Sequence, residues 1–141
     1  MAVRNASATW EGKLRDGNGR FRGESGVIDA PYSFSSRFTD EGGTNPEELL
    51  AAAEAACFSM ALAGNLERAG TPSTRVQTDA ACTVERVGDG FQITSIRLRT
   101  RAQVPGADAE SFARIAQQTK ETCPVSKALA AVDIQLDAAL E

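Results

Sequence analysis

The stretch between Asn45 and Gly70 constrains this chain more than any other. Thr44-Asn45-Pro46-Glu47-Glu48 reads as a helix start, with Asn45 as N-cap, Pro46 at the first helical position and Glu48 placed to close a capping box. Gly70, with Pro72 just beyond, marks the end. The spacing predicts a helix over 46–69, roughly 36 Å long at the standard rise. It is apolar nearly all round, so it is expected to be buried on most sides. Its apolar stretch, 49–63, carries Glu54 and Ser59 and falls short of the ~18–20 residues that a membrane span needs. Burial in protein is therefore expected. One small domain has little chain to wrap such a helix, so a second copy is expected to cover it, as a homodimer. Ala53, Cys57, Ala61 and Gly64 form a narrow stripe, spaced for close approach of another backbone.

Strands are expected on both sides of this helix. Three short runs precede it, at 3–14, 20–28 and 32–39, punctuated by Asp16-Gly17-Asn18-Gly19. In the third, period-two alternation sets Tyr32, Phe34 and Phe38 on one face and Ser33, Ser35 and Arg37 on the other, so Arg37 is expected to point away from the aromatic face. After the helix, Val76, Thr78, Ala80, Cys82 and Val84 line one face of a strand that ends at Gly88-Asp89-Gly90. The next, over 91–104, sets Ile96, Leu98, Ala102 and Val104 against Arg97, Arg99, Arg101 and Gln103. Asp108 caps a helix reaching about Thr122, a short helix follows from Pro124 to about Ala131, and 134–140 closes with a strand. The order βββ-α-ββ-αα-β indicates an α+β fold, with 1–141 as one domain.

Charge and composition exclude several classes. With 15 basic against 19 acidic residues the net charge is −4, which disfavours nucleic acid and anionic membrane as partners. The arginines of the 91–104 strand read as its solvated face. Residues 1–10 have no apolar core of a signal peptide, and three cysteines is an odd number for a disulfide framework. A reducing compartment, the cytoplasm, is the expected location.

The chain has no histidine. Cysteine–histidine dyads, serine triads and imidazole metal sites are thereby excluded. A working cysteine here needs a cation or backbone dipoles to hold its thiolate. Cys57 sits mid-helix in the apolar run Ala55-Ala56-Cys57-Phe58-Ser59-Met60, where a free cysteine usually acts as a small hydrophobe. Cys123 precedes Pro124 as N-cap of the short helix, with Lys127 a turn away, and dipole reasoning makes it the more acidic thiol. Cys82 lies in the apolar register of its strand and reads as core. Glu47 either favours the helix N-terminus or is free for another partner.

Three motifs act together. Gly43-Thr44-Asn45-Pro46-Glu47-Glu48-Leu49-Leu50, Ala55-Ala56-Cys57-Phe58-Ser59-Met60-Ala61-Leu62 and Cys123-Pro124-Val125-Ser126-Lys127-Ala128-Leu129 strongly resemble the OsmC/Ohr family, the osmotically inducible protein C and organic hydroperoxide resistance proteins. The resemblance runs from Trp10-Glu11-Gly12 to the final strand. Tyr32-Ser33-Phe34 and Arg37-Phe38 before the Gly-Thr-Asn-Pro motif place it with the OsmC branch.

The resemblance implies an intertwined homodimer with two sites at the subunit interface, and a thiol peroxidase that reduces organic hydroperoxides and, less readily, hydrogen peroxide. By motif position Cys57 matches the peroxidatic cysteine and Cys123 the resolving one. Arg37 and Glu47 match the arginine and glutamate that accompany the reactive thiol. No bound cofactor or metal is implied, and reduction of the resulting Cys57–Cys123 disulfide is attributed in this family to an external dithiol, dihydrolipoyl groups on carrier proteins. The order of the two thiols differs from that of dipole reasoning, and Arg37 is expected to outweigh the dipole. At Glu54, where members of the OsmC branch often carry histidine, a carboxylate on nearly the same face as Cys57 is expected to raise the thiol pKa or to pair with a cation of the partner chain. A redox switch that uses the same cysteine pair without rapid turnover is the alternative reading.

Overall fold

The computed structural model describes residues 1–141. Six strands and four helices run in the order β1 (Ala6–Glu11), β2 (Asn18–Gly23), β3 (Asp29–Tyr32), α1 (Phe34–Phe38), α2 (Pro46–Arg68), β4 (Arg75–Val87), β5 (Gly90–Gln103), α3 (Ala109–Thr122), α4 (Pro124–Ala128) and β6 (Asp133–Leu140). The chain divides into two compact units, Met1–Glu48 and Leu49–Glu141.

In the first unit β1, β2 and β3 form an antiparallel sheet in sequence order. Trp10 and Tyr32 both pair with Gly19, one from each side. A Cβ on Gly19 would stand 2.5 Å from the Tyr32 ring, so only glycine lets the two aromatic rings meet across β2, 5.5 Å apart. The expected strand over 20–28 stops at Gly23. The Gly23 amide bonds the Ile28 carbonyl at 2.8 Å, and Gly26 takes a positive φ, which turns the chain into β3.

The expected strand over 32–39 is largely a helix. Ser33 accepts from the Ser36 amide at 3.1 Å, while the Ser36 hydroxyl accepts from the Ser33 amide at 2.9 Å. This reciprocal cap starts α1 immediately after Tyr32. Phe34 and Phe38 lie one helical turn apart with ring centroids at 5.0 Å. A four-residue aromatic spacing fits either period, and the serine cap decides for the helix. Arg37 accordingly does not turn away from the aromatic face; its guanidinium lies 4.9 Å above the Phe38 ring.

Helix α2 begins and ends at the expected signals. Asn45 accepts from the Glu48 amide at 2.8 Å, and its own amide donates to the Ser36 carbonyl at 2.8 Å, tying α1 to the start of α2. The other half of the expected capping box, a bond from the Glu48 side chain, is not made. At the far end Thr71 bonds the Leu66 carbonyl and Gly70, at φ 84°, the Glu67 carbonyl, which completes a Schellman motif.

In the second unit β4 and β5 form a long hairpin and β6 joins β5 in parallel, reached through α3 and α4. The alternation in β4 and β5 follows the expected faces. Phe58, Leu62 and Leu66 of α2 are fully buried with Ile96, Leu98 and Ala102 of β5 and Phe112 of α3. Each such large side chain contributes about 1.5–3 kcal/mol. Cys82 packs against this cluster, as expected. On the other face Arg101 pairs with Asp137 at 3.0 Å and Arg97 and Arg99 are exposed. Asp108 caps α3 through the Ser111 amide at 2.9 Å. Helix α4 ends at Ala128, short of the expected Ala131.

One expectation for α2 fails within the single chain. The apolar stretch 49–63 alone falls short of a membrane span, but the whole of Pro46–Arg68 is long and apolar enough for one; in this fold it is a core helix with one buried stripe, Glu54, Phe58, Leu62 and Leu66, at four-residue spacing. Ala52, Ala53, Ala56 and Met60 are exposed, Met60 to 76 %. At the Gly64 end of the small-residue stripe a Cβ would meet only the Arg68 side chain, at 3.7 Å. One chain supplies cover for one face of the helix and no more.

Candidate functional site

The second unit brings two of the expected residues together. Cys57 projects from the middle of α2, and Cys123 occupies the joint between α3 and α4. At Cys123 the following proline enforces an extended ψ of 128°, so the backbone leaves α3 and re-enters helix at Pro124. The amide of Cys123 still bonds back to Thr119, at 2.8 Å, and its carbonyl accepts from Lys127 at 2.9 Å. Held from both sides, the fully buried Cys123 sulfur stands 2.9 Å from that of Cys57, and both are free thiols. Sulfur atoms this close need little movement to bond.

Burial pushes the Cys57 thiol pKa up, the Cys123 contact and the negative charges of Cys123 and Glu54 add to it, and the Val125 amide pulls the other way. The upward effect of Glu54 was legible in the sequence. The Val125 amide was not. It belongs to the first turn of α4, whose dipole the sequence assigned to Cys123. Cys123 makes no side-chain cap bond, and the amide acts on Cys57 instead.

Glu54, one turn before Cys57, is fully buried. It accepts a short hydrogen bond from the Ser126 hydroxyl, and its second oxygen has no partner. Ser126 was missed in the sequence reading, although Ser126 follows Cys123 at the same three-residue spacing by which Glu54 precedes Cys57.

The first unit brings the other two together. Arg37 of α1 grips Glu47, in the first turn of α2, through two bonds: Nη2 to Oε1 at 2.6 Å and Nε to Oε2 at 3.3 Å. Glu47 is buried, and the fork geometry fixes the plane of the guanidinium. Trp10, Leu14, Tyr32, Phe34, Arg37 and Phe38 line a cleft of about 230 Å³ in this unit. Leu14 and Trp10 were not anticipated there, because their place depends on the β1–β2 pairing.

A fold of two three-stranded sheets with a long core helix presents a pair of free thiols 2.9 Å apart, the arrangement that dithiol chemistry requires. The comparisons make that specific. A family model described as OsmC-like protein matches residues 39–137, and the chain belongs to that family. It is 47 % identical over 135 residues to Peroxiredoxin OsmC of Escherichia coli strain K12, covering 95 % of this chain and 94 % of that protein. It is 30 % identical over 106 residues to the organic hydroperoxide resistance protein of Xanthomonas axonopodis pv. citri, with 72 % of each covered. Among solved structures, an organic hydroperoxide resistance protein from Elizabethkingia anophelis superposes with a TM-score of 0.81 at 22 % identity, covering 100 % of this chain and 98 % of that one, a likeness of fold. As a homologue of Peroxiredoxin OsmC the chain is an enzyme, a peroxidase.

Proposed function

We propose that the chain reduces organic hydroperoxides, and hydrogen peroxide more weakly, by a two-cysteine cycle. The observation that carries this reading is the 2.9 Å separation of Cys57 and Cys123. The Cys57 thiolate attacks the distal peroxide oxygen, the O–O bond breaks, and the alkoxide leaves as alcohol after taking a proton. The resulting sulfenic acid condenses with the Cys123 thiol, which forms the disulfide and releases water. An external dithiol then restores both thiols and leaves as its own disulfide; the family resemblance favours dihydrolipoyl groups.

In this reading Arg37 supplies the cation that a histidine-free site needs to hold the Cys57 thiolate, and Glu47 orients it. The fork between them supports those roles. The aromatic cleft beside Arg37 favours a substrate with an apolar tail. The working unit is a homodimer of 1–141 domains, an assembly supported by the uncovered Ala53, Ala56 and Met60 face of α2.

The test treats reduced protein with one equivalent of cumene hydroperoxide and maps the products by mass spectrometry. A Cys57–Cys123 disulfide with stoichiometric alcohol is expected. Folded protein with unmodified thiols would overturn the proposal. Continued consumption with a dithiol present separates an enzyme from a single-event redox switch.

A further inference from the structure

Helices α2 and α4 are joined by two rungs. Cys57 faces Cys123, and one helical turn away Glu54 accepts from Ser126. On each helix the two rung residues are three apart, and the rungs run in opposite chain directions. The second rung is expensive to maintain. Glu54 extends the apolar stripe Phe58, Leu62, Leu66, is fully buried, and leaves one carboxylate oxygen without a donor. A group retained for stability alone would have both oxygens satisfied or would be apolar. Glu54 also acts against the first chemical step, because its charge raises the Cys57 pKa. Its value must lie elsewhere in the cycle.

We propose that Glu54, acting through Ser126, is a positioning residue for disulfide closure: the rung holds α4 in register on α2 so that Cys123 stays opposite Cys57. The inference rests on the two-cysteine reading given above. The step it serves forms the S–S bond as the S–O bond of the Cys57 sulfenic acid breaks, with the hydroxyl leaving as water on the Cys123 proton. Helix α4 has five residues and a cap without a side-chain bond, so little within it fixes its position. The Ser126 bond to a buried carboxylate is the strong tie available to it.

The test follows disulfide formation by rapid quench and mass spectrometry after one equivalent of cumene hydroperoxide. The proteins are wild type, Ser126→Ala, Glu54→Gln, and the double variant Glu54→Met with Ser126→Ala. Loss of a hydrogen bond to a charged group predicts closure slowed by about tenfold or more in Ser126→Ala and the double variant. In both, dimedone-trappable sulfenic acid should accumulate at Cys57, and excess peroxide should carry it to sulfinic acid. Glu54→Gln keeps an oxygen acceptor for Ser126 and removes the charge, so closure should stay near the wild-type rate. The double variant leaves no orphaned polar atom and supplies the rungless state if Ser126→Ala folds poorly. Wild-type closure rates in both rungless proteins would overturn the inference and leave the peroxidase reading intact. Absence of a disulfide in the wild type would instead sink the reading on which it rests.

Discussion

At the scale of single residues, the thiol that the family motif assigns to first attack is held by its own surroundings toward the neutral form. Burial is the main cause, with the Cys123 sulfur next, and only the Val125 amide opposes them. A raised pKa leaves less thiolate at neutral pH, so the first equivalent of peroxide should be consumed faster as pH rises through and beyond the ordinary cysteine range. Replacing Cys123 with Ala removes two of the causes that raise the Cys57 pKa. The midpoint of Cys57 alkylation by iodoacetamide should then move to lower pH, while turnover stops at one equivalent; an unmoved midpoint would show that Cys123 has no part in setting the thiol. Arg37 is the residue proposed to overcome this bias, through a guanidinium plane set by Glu47. Arg37→Lys keeps the charge and loses the fork. It should slow the first equivalent by about tenfold, since an ammonium cannot be clamped in one plane by a carboxylate. A single-turnover rate measured in a Cys123→Ala background isolates that step.

At the scale of elements, legibility followed how local the cause was. The caps of α2 were readable because Asn45, Pro46 and Gly70 act within a turn of the helix ends. The hairpin of β4 and β5 was readable because its alternation is long enough to fix the faces. Helix α1 was misread because Phe34 and Phe38 satisfy both periods, and the deciding bonds come from serines that a strand tolerates equally well. The Val125 amide and the Ser126 rung were out of reach, because each depends on where α4 comes to rest against α2. The thiol pairing itself was legible only through the family motifs. Asn45 is the element-scale residue with most at stake, since it caps α2 and also holds the α1 carbonyl of Ser36. Asn45→Ala should cost about 1–2 kcal/mol, read as a lower urea midpoint with an unchanged slope.

At the scale of the whole molecule, the long helix is the feature that one chain leaves unfinished. Its core stripe is closed by β5 and α3, whereas Met60 on the opposite side is 76 % exposed. If a second copy covers that face, Met60→Lys should convert the wild-type dimer to monomer in sedimentation at micromolar concentration. A wild-type monomer under the same conditions would refute the assembly. The parallel pairing of β5 and β6 has a further consequence, because its crossover contains the joint at which Cys123 sits. Cys123 lies 66 positions after Cys57. At ~5–20 residues per second of synthesis, Cys57 leaves the ribosome roughly 3–13 s before Cys123 does. In the two-cysteine cycle proposed above, the nascent chain during that interval carries the attacking sulfur without the one that would resolve it. A peroxide burst therefore threatens newly made molecules more than finished ones, and sulfinic acid at Cys57 should concentrate in the youngest fraction of a pulse-labelled population.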